Sequence, residues 1–574
     1  MTNQELAEIF ERIGGLLEIK GENIYKILAY RKAAESLRNL SENVNAVWRQ
    51  GRLMEIPGVG KAIADKIDEL LTTGKLEFLE KLEQEVPPTL IQLLEVPDVG
   101  PKKAALFWKE AGITSLADLE AAARAGRLRN LPGVGEKSEQ RILAGIESLA
   151  RRSDRMLLGT GWPIARRWID WLVELPAVQR ADAAGSLRRW RATIGDLDLV
   201  AASDQPEAVV EALAQHPDVR RVLGQGENKN SVELNTGLKM QLWIQPPERY
   251  GALLQFATGS KDHNVRLREL AQRKKLSLSE RGLIDEQGKL QLFSNEEDLY
   301  AALGLPWIPP ELREDRGEIE AALQGKLPHL VEWADLRADL HTHSDWSDGH
   351  GSIRQMAEAA RQAGLKVLAI TDHSGGLGVT GGLDVERLQK QREEIRAVQR
   401  QMGGSILLLQ GSEVEIRADG SLDYPDEVLA GLDVVVASLH TSLRQPKDVV
   451  TKRLLSAMSN PHIDIIGHPS GRLLPNREGA ELDWDAVLEA ARQYGVALEI
   501  DSHPQRLDLD EIYARRAGEM GIRISIDSDA HAADQFELLQ YGASVARRAW
   551  LEAEQVIGTW PVERLRAWLQ QRGR

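Results

Sequence analysis

Between residues 336 and 531 the chain repeats one device: an apolar run of strand length that ends in a histidine, an aspartate or a glutamate. Arg337-Ala338-Asp339-Leu340 leads to His341-Thr342-His343, and Asp348 follows in Ser347-Asp348-Gly349. Val367–Ile370 leads to Asp372-His373, Ile406–Ser412 to Glu413, Val434–Leu439 to His440, Ile463–Gly467 to His468, and Ile522–Ser528 to Asp529-Ala530-His531. Apolar strands separated by helical segments indicate parallel βα units. A closed barrel of such units gathers its C-terminal strand ends at one rim. Six imidazoles and three carboxylates at that rim would hold up to three ions with one bridging group. There is no cysteine, which excludes thiolate sites, and imidazole with carboxylate suits Zn²⁺, Mn²⁺ or Fe. Nine of the twelve histidines lie between His341 and His531. His350, His462 and His503 fall outside the pattern and read as ordinary side chains.

The 574 residues are enough for about four domains, and the formal charge of −15 excludes a generally basic, nucleic-acid-coating protein. Local phosphate-binding surfaces remain compatible with that balance. No apolar run reaches transmembrane length, and the acidic, helix-patterned start is unlike a signal peptide. The expectation is a cytoplasmic monomer with no membrane partner.

Residues 1–150 read as successive helices, with apolar spacing of three and four in Leu6, Ile9, Phe10, Ile13, Leu16 and Leu17. Three stretches share a hydrophobic-Pro-x-Val-Gly frame: Ile56-Pro57-Gly58-Val59-Gly60-Lys61, Val96-Pro97-Asp98-Val99-Gly100-Pro101-Lys102 and Leu131-Pro132-Gly133-Val134-Gly135-Glu136-Lys137. Such a turn exposes backbone N–H groups at the start of a helix, where the dipole favours a phosphate. One copy reads as glycines ending helices; three copies point to backbone contacts with a nucleic acid. Charge alone gives no such hint, since this region holds 20 Lys/Arg against 23 Asp/Glu. The candidate contacts are Gly58, Gly60, Lys61, Val99, Gly100, Lys102, Gly133, Gly135 and Lys137.

From about residue 180 short strands take over, with Asn235-Thr236-Gly237 as a hairpin turn. Gly185-Ser186-Leu187-Arg188-Arg189 precedes Gly195-Asp196-Leu197-Asp198. Asp196 and Asp198 share one face of a strand, and two parallel carboxylates call for Mg²⁺ or Mn²⁺. Gly185 and Ser186 would hold a triphosphate, and Arg188 or Arg189 would neutralise it. This is the signature of a nucleotidyltransferase palm.

The three glycine frames resemble helix-hairpin-helix motifs of DNA repair proteins, and residues 1–318 resemble a family X DNA polymerase. The resemblance implies a lyase function for Lys66, which stands in the helix after the first hairpin; a solvated helix lysine is an equal reading. It sets Gln255–Ser260, with Phe256 and Gly259, against the incoming sugar and base. It places Asn264 and Arg266 at the nascent pair, and Leu303–Arg313 as the closing stretch. One departure stands out. The family's third carboxylate, the base for the primer 3′-OH, falls at Gln241, which carries no charge and takes no proton. Glu233, across the hairpin, is the candidate substitute.

The C-terminal pattern is similar to the PHP (polymerase and histidinol phosphatase) family, whose nine ligands map onto His341, His343, Asp348, His373, Glu413, His440, His468, Asp529 and His531. Arg472 is a candidate phosphate clamp or a structural salt bridge. The whole chain therefore resembles the bacterial family X polymerase fused to a PHP domain. That resemblance implies gap-filling synthesis from dNTPs and a metal-dependent 3′–5′ exonuclease or phosphoesterase acting on gapped, nicked or 3′-ended DNA in base excision repair. Polymerisation is in doubt because of Gln241. Two other readings stay open, a nuclease with a non-catalytic DNA-docking module and a small-molecule phosphatase.

The expected architecture is multidomain: an all-α helix-hairpin-helix region, an α+β palm and thumb, and a C-terminal α/β barrel. The boundaries are a lyase-like domain at 1–85, a second helix-hairpin-helix subdomain at 86–150, the palm at 151–245 and the thumb at 246–318. A linker at 319–335 and the barrel at 336–574 complete the chain.

Overall fold

The computed structural model describes residues 3–571 apart from 39–43, 57, 95, 97–98, 154, 227–228, 377–379 and 476. Pro57, Pro97 and Asp98 of the glycine frames thus lie outside the described residues. The chain divides into two compact units, Met1–Asp154 with 375–382, and Arg155–Ser374 with Leu383–Arg574.

The first unit is helical. Its three glycine frames make the same turn: Val59, Val99 and Val134 each donate their N–H to the carbonyl three residues back, at 3.0, 3.0 and 3.1 Å. All three valines are buried, so each hairpin is pinned by its valine. Gly58 and Gly133 sit at φ +79° and +74°, a region L side chains rarely enter. Gly60 and Gly100 are the extended N-caps of Lys61–Thr73 and Pro101–Ala111, and Gly135 precedes Glu136–Ser153.

The second unit holds two sheets that matter for function. The first has strands β1 (Arg180–Ala183), β2 (Leu197–Ala202), β3 (Val219–Gln225), β4 (Lys229–Leu234) and β5 (Lys239–Gln245), in the order β1-β2-β5-β4-β3. β2 and β5 are parallel, and the other pairs are antiparallel. Gly237 at φ +82° makes the β4–β5 hairpin turn.

The second sheet has seven parallel strands in sequence order: β6 (Ala338–Asp339), β7 (Val367–Ile370), β8 (Leu407–Glu415), β9 (Val434–Ser438), β10 (Ile465–Gly467), β11 (Ala497–Asp501) and β12 (Ile524–Asp527). A bridge between Thr342 and Ala530 brings the ends together into a nearly closed barrel. Parallel strands covered on both faces read as unbroken apolar runs, and every residue of β9 is buried. One inward layer holds Ala338, Val367, Ala369, Leu409, Val434, Val436, Ile465 and Ala497, packed with Trp560, Leu565 and Leu569 of the C-terminal segment. Those residues stop the N-terminal end of the barrel. The covering helices start on local caps, such as the Ser352–Gln355 capping box of Ile353–Gln362 and the Asp384 cap of Val385–Met402.

Palm-side and barrel elements pack directly. Arg548 donates to the carbonyl of Arg189 at 2.6 Å, to Glu314 at 3.0 Å and to Glu511 at 2.8 Å. Against the cost of burial, Arg548 holds the Glu511 carboxyl down to about 2. A Cβ on Gly159 would lie 2.4 Å from Pro504. The segment 319–335 is structured: it begins inside the helix Glu318–Leu323, Val331 is fully buried, and Leu330 bridges to Glu552.

A buried ion cluster locks the Gly-Ser-Leu-Arg-Arg turn to the following subdomain. Glu296, 3% exposed, receives Arg313 at 2.6 and 3.1 Å, Arg188 at 3.0 and 2.8 Å, and the Trp307 indole at 3.0 Å. Removing one partner of a buried pair strands the others. We expect Glu296→Ala to cost about 3–5 kcal/mol in urea unfolding. Glu320→Ala, which breaks the exposed pair with Arg266, should cost at most about 1 kcal/mol. Equal effects would contradict this ranking.

Candidate metal centre and palm

Side-chain alternation builds the barrel site. With Leu409 turned inward, Glu413 and Glu415 turn inward on the same strand; with Ala497 inward, so do Glu499 and Asp501. Glu413 lies at the centre. Its Oε1 is 2.9 Å from His468 Nε2 and 3.1 Å from His440 Nε2. Its Oε2 is 2.9 Å from His373 Nδ1, 3.3 Å from His341 Nε2 and 3.5 Å from His343 Nε2. Asp529 adds a carboxylate 3.1 Å from His343 Nε2, and Asp348 lies 3.5 Å from both His373 Nε2 and His531 Nε2. All nine expected ligands thus meet in one cluster.

Three groups within it have ligand atoms within 4.8 Å of one another: His343, Asp348, His373 and His531; His341, His343 and Asp529; His373, Glu413 and His440. Five buried ring nitrogens, His341 Nε2, both of His343, His373 Nδ1 and His468 Nδ1, have no hydrogen-bond partner among the described residues. Buried polar atoms are ordinarily paired, so His341 Nε2, His343 Nε2 and His373 Nδ1, which all face Glu413 Oε2, fit metal ions. Charge is distributed unevenly among the rings. Against burial, Glu413 and Asp348 hold His373 up to about 10, and Asp348 and Asp529 hold His531 up to about 9. Burial, with His373 and His531 alongside, pushes His343 down to about 4; burial and Arg506 push His468 down to about 3. Packed this closely, the rings do not all carry protons.

The supporting residues were not singled out from sequence. Glu499 accepts from His341 Nδ1 at 2.7 Å, and Glu415 from His440 Nδ1 at 2.7 Å. Each aims the ring's Nε2 inward, the usual arrangement around a ligating histidine. An acidic residue at an inward position of an apolar strand was the available signal, and the interruption in Ala497-Leu498-Glu499-Ile500-Asp501 carried it. Arg506 lies 3.2 Å from Asp501 and 3.7 Å from Asp529 at the same rim. Arg472 instead donates to the Arg506 and Leu507 carbonyls and sits 3.7 Å from Asp510, which favours the structural reading. His350 donates its backbone N–H to the His531 carbonyl, and the His503 ring sits near Asp529 and His531 at the rim without joining the ligand groups.

In the palm, Gly185 at φ +57° packs so close to Asp198 that a Cβ would lie 2.1 Å from its carboxylate. Glycine is required there. Asp198 and Gln241 are direct register partners on β2 and β5, and Gln241 donates to Asp196. Glu233 does not substitute: it faces Lys239 in register, and its carboxylate is held by Arg221 at 2.6 Å and Arg220 at 3.3 Å. Arg188 is spent on Glu296 and Thr258, and Arg189 on Glu314 and the Thr258 carbonyl. Ser186 is half-buried in the same turn. Asn264 donates to the Phe256 carbonyl at 2.9 Å, Gly259 lies against Arg189, and Arg266 is paired with Glu269 and Glu320.

In the helical unit Lys61, Lys102 and Lys137 are exposed, whereas the Val99 side chain is core, so only its backbone could meet a phosphate. Lys66 donates to the Ala62 carbonyl at 3.1 Å and lies 5.0 Å from the Phe78 ring centre, which Lys26 also approaches at 5.5 Å.

Comparison with known proteins agrees with this geometry. Residues 1–76 match a helix-hairpin-helix domain, 90–148 a SAM-like helix-hairpin-helix tandem, 252–314 the DNA polymerase beta thumb and 339–503 the PHP domain. The DNA polymerase/3′-5′ exonuclease PolX of Bacillus subtilis (strain 168) is 38% identical over 579 residues, covering 99% of this chain and all of the relative. The chain belongs to the PolX family. It is an enzyme of the family X polymerase type with a PHP domain. A probable phosphatase of Thermoanaerobacter sp. (strain X514) is 32% identical over 42% of the chain, and one of Caldanaerobacter subterraneus is 36% identical over 34%. Helix-hairpin-helix and thumb domains imply DNA binding. Among the described residues no helix is long and apolar enough to cross a membrane.

Burial and the neighbouring Asp196 push Asp198 up to about 7. Between the ordinary 3.8 and that value, the folded protein holds a proton that the unfolded chain has lost. This contribution to stability is therefore complete at low pH and disappears as pH rises through 7. Metal-free Asp198→Asn should lose less Tm than the parent between pH 5 and pH 8. Parallel losses would contradict the placement of Asp198.

Proposed function

We propose that the barrel degrades DNA from 3′ ends by phosphodiester hydrolysis at its nine-residue cluster, and that the palm binds nucleotide but extends a primer slowly. Five imidazoles around the buried carboxylate of Glu413 carry the first half of this reading. In it, His341, His343, Asp348, His373, Glu413, His440, His468, Asp529 and His531 hold two or three Zn²⁺ or Mn²⁺ ions. Such ions supply an activated water and neutralise charge on phosphorus-bound oxygens. Glu499 and Glu415 keep the Nδ1 protons of His341 and His440 in place, so that the Nε2 lone pairs face inward. Arg506 adds fixed positive charge at the rim that a phosphodiester must approach.

For the palm, Asp196 and Asp198 would hold Mg²⁺ or Mn²⁺ with a dNTP. Gly185, Ser186, Arg188, Phe256, Gly259, Asn264 and Arg266 would line the nucleotide and the nascent pair. Binding there requires Arg188 or Arg189 to exchange a present partner for phosphate. Gln241 cannot take the proton of a primer 3′-OH, and its amide occupies Asp196. The helical unit would grip gapped or nicked duplex through Gly58, Gly60, Lys61, Gly100, Lys102, Gly133, Gly135 and Lys137, with Lys66 available for lyase chemistry. We retain the division at 85, 150, 245, 318 and 335 as the functional segmentation, and place the protein in the cytoplasm as a monomer in base excision repair. The hydrogen bond from Gln241 to Asp196 also favours a second reading, in which the palm only docks DNA for the nuclease.

Labelled gapped DNA, with and without dNTPs, separates the two. His341→Ala should abolish 3′ trimming and spare any extension. Asp198→Ala should do the reverse. Gln241→Asp should raise extension by about two orders of magnitude, the scale of a general base. Trimming that survives His341→Ala would contradict the barrel assignment. Extension that never exceeds background, even in Gln241→Asp, would leave the docking reading.

A further inference from the structure

The rim of the barrel carries more fixed positive charge than the nine ligands account for. Arg506, 3.2 Å from Asp501 and 3.7 Å from Asp529, is the innermost of three arginines on neighbouring strand-end loops. Arg477 stands on the loop after β10, and Arg444 on the loop after β9. These loops touch. A Cβ on Gly471 would lie 3.1 Å from Leu443, the chain neighbour of Arg444, and Arg477 donates to the Gly471 carbonyl at 2.7 and 3.1 Å. Arg472 joins the same loop to the Arg506 carbonyl at 2.7 Å. Partial loss of solvent, and then the charges of Arg506 and Arg444, push the Arg477 guanidinium below its ordinary value. Three like charges thus share one stretch of rim.

The protein leaves the outer two uncompensated. Arg506 has Asp501 and Asp529, but neither Arg444 nor Arg477 has an ion pair among the described residues. Asp508, which attracts Arg477 from a distance, is committed to Ser470 and the Gly471 amide at 2.9 to 3.0 Å. This is unexpected in a chain with 87 acidic against 72 basic residues. The loop that carries Arg444 is also held firmly. Arg453, 2% exposed, donates to the carbonyls of Ile416, Arg417, Thr441 and Ser442 and to Gln445 Oε1, at 2.6 to 3.3 Å. A buried guanidinium with its donors satisfied therefore fixes the chain on both sides of Arg444, whose own side chain is exposed. Like charges fixed beside one another at a surface attract an anion, and the planar guanidinium fork matches a phosphate.

Trimming a strand from its 3′ end brings the terminal linkage to the nine-residue cluster. The next linkage, one nucleotide toward the 5′ end, carries a charge that the cluster does not meet. We propose that Arg444 and Arg477 hold this neighbouring phosphate, outward of Arg506, so that the rim takes a polynucleotide in preference to a lone phosphate ester. The proposal rests on the nuclease reading of the barrel. Initial rates of 3′ nucleotide release from a short single strand in Mn²⁺ test it. All-phosphate DNA is compared with the same strand carrying one neutral methylphosphonate at the second linkage from the 3′ end. Arg444→Ala should raise KM on all-phosphate DNA at least about tenfold, the scale of a lost charge-assisted hydrogen bond, with a smaller change in kcat. The parent should show the same rise on the methylphosphonate strand, and Arg444→Ala no further rise there, because both changes remove one contact. Arg477→Ala should behave in the same way, and Arg444→Lys, which keeps the charge, should recover most of the loss. A parent that trims neither strand overturns the nuclease reading and the proposal with it. The proposal alone is overturned if the parent trims but Arg444→Ala keeps the parental KM, if the protein and DNA changes are additive, or if Arg444→Lys is as impaired as Arg444→Ala.

Discussion

A single carboxylate buried among five imidazoles sets the terms for the C-terminal half of this protein. Glu413 has five ring nitrogens within 3.5 Å. Such a cluster is stable only if charge balances at short range. Without metal, protons accomplish part of that: the neighbouring carboxylates hold His373 and His531 up, while burial and nearby positive groups push His343 and His468 down. Metal ions would take the place of those protons, since His341 Nε2, His343 Nε2 and His373 Nδ1 converge on Glu413 Oε2.

Everything around the cluster serves to make those side chains converge. Parallel strands buried on both faces can only be apolar, so each polar ligand is confined to a strand end or to an inward position near it. Trp560, Leu565 and Leu569 stop the opposite end, leaving one open rim. The palm solves a related problem with less charge. Gly185 lets the turn close onto Asp198, the Glu296 cluster clamps that turn from behind, and Gln241 stands where a third acid would have to stand. Arg548 ties the same turn to the barrel, so the two sites are held in one body.

Much of this was readable from the chain. The convergence of the nine side chains is legible because all but Asp348 sit at or just after the end of an apolar run, and the three hairpins because a hydrophobic-Pro-x-Val-Gly frame recurs. The Asp196–Asp198 pair is legible from strand alternation and its Gly-Ser lead, whereas the need for glycine at 185, close against Asp198, is not. What escaped was partner choice. Glu499 and Glu415 stay hidden in the sequence because an acid inside an apolar strand shows its role only once the barrel fixes which parity faces inward. Arg188 fits a phosphate ligand by sequence alone, and only tertiary packing brings Glu296 to it from 108 residues away. Glu233 was placed near Gln241 by hairpin proximity, but the register sets it beside Lys239, under two arginines. Val99 belonged to a phosphate-binding frame and turned out to be the peg that fixes the frame.

The most direct test of the central claim is a metal count on protein passed through gel filtration after loading with Mn²⁺ or Zn²⁺, comparing the parent with Glu413→Gln. Convergence around Glu413 predicts two to three tightly held ions per chain in the parent and fewer than one in the variant. A parent that retains no metal, or a variant that retains the full complement, would contradict it.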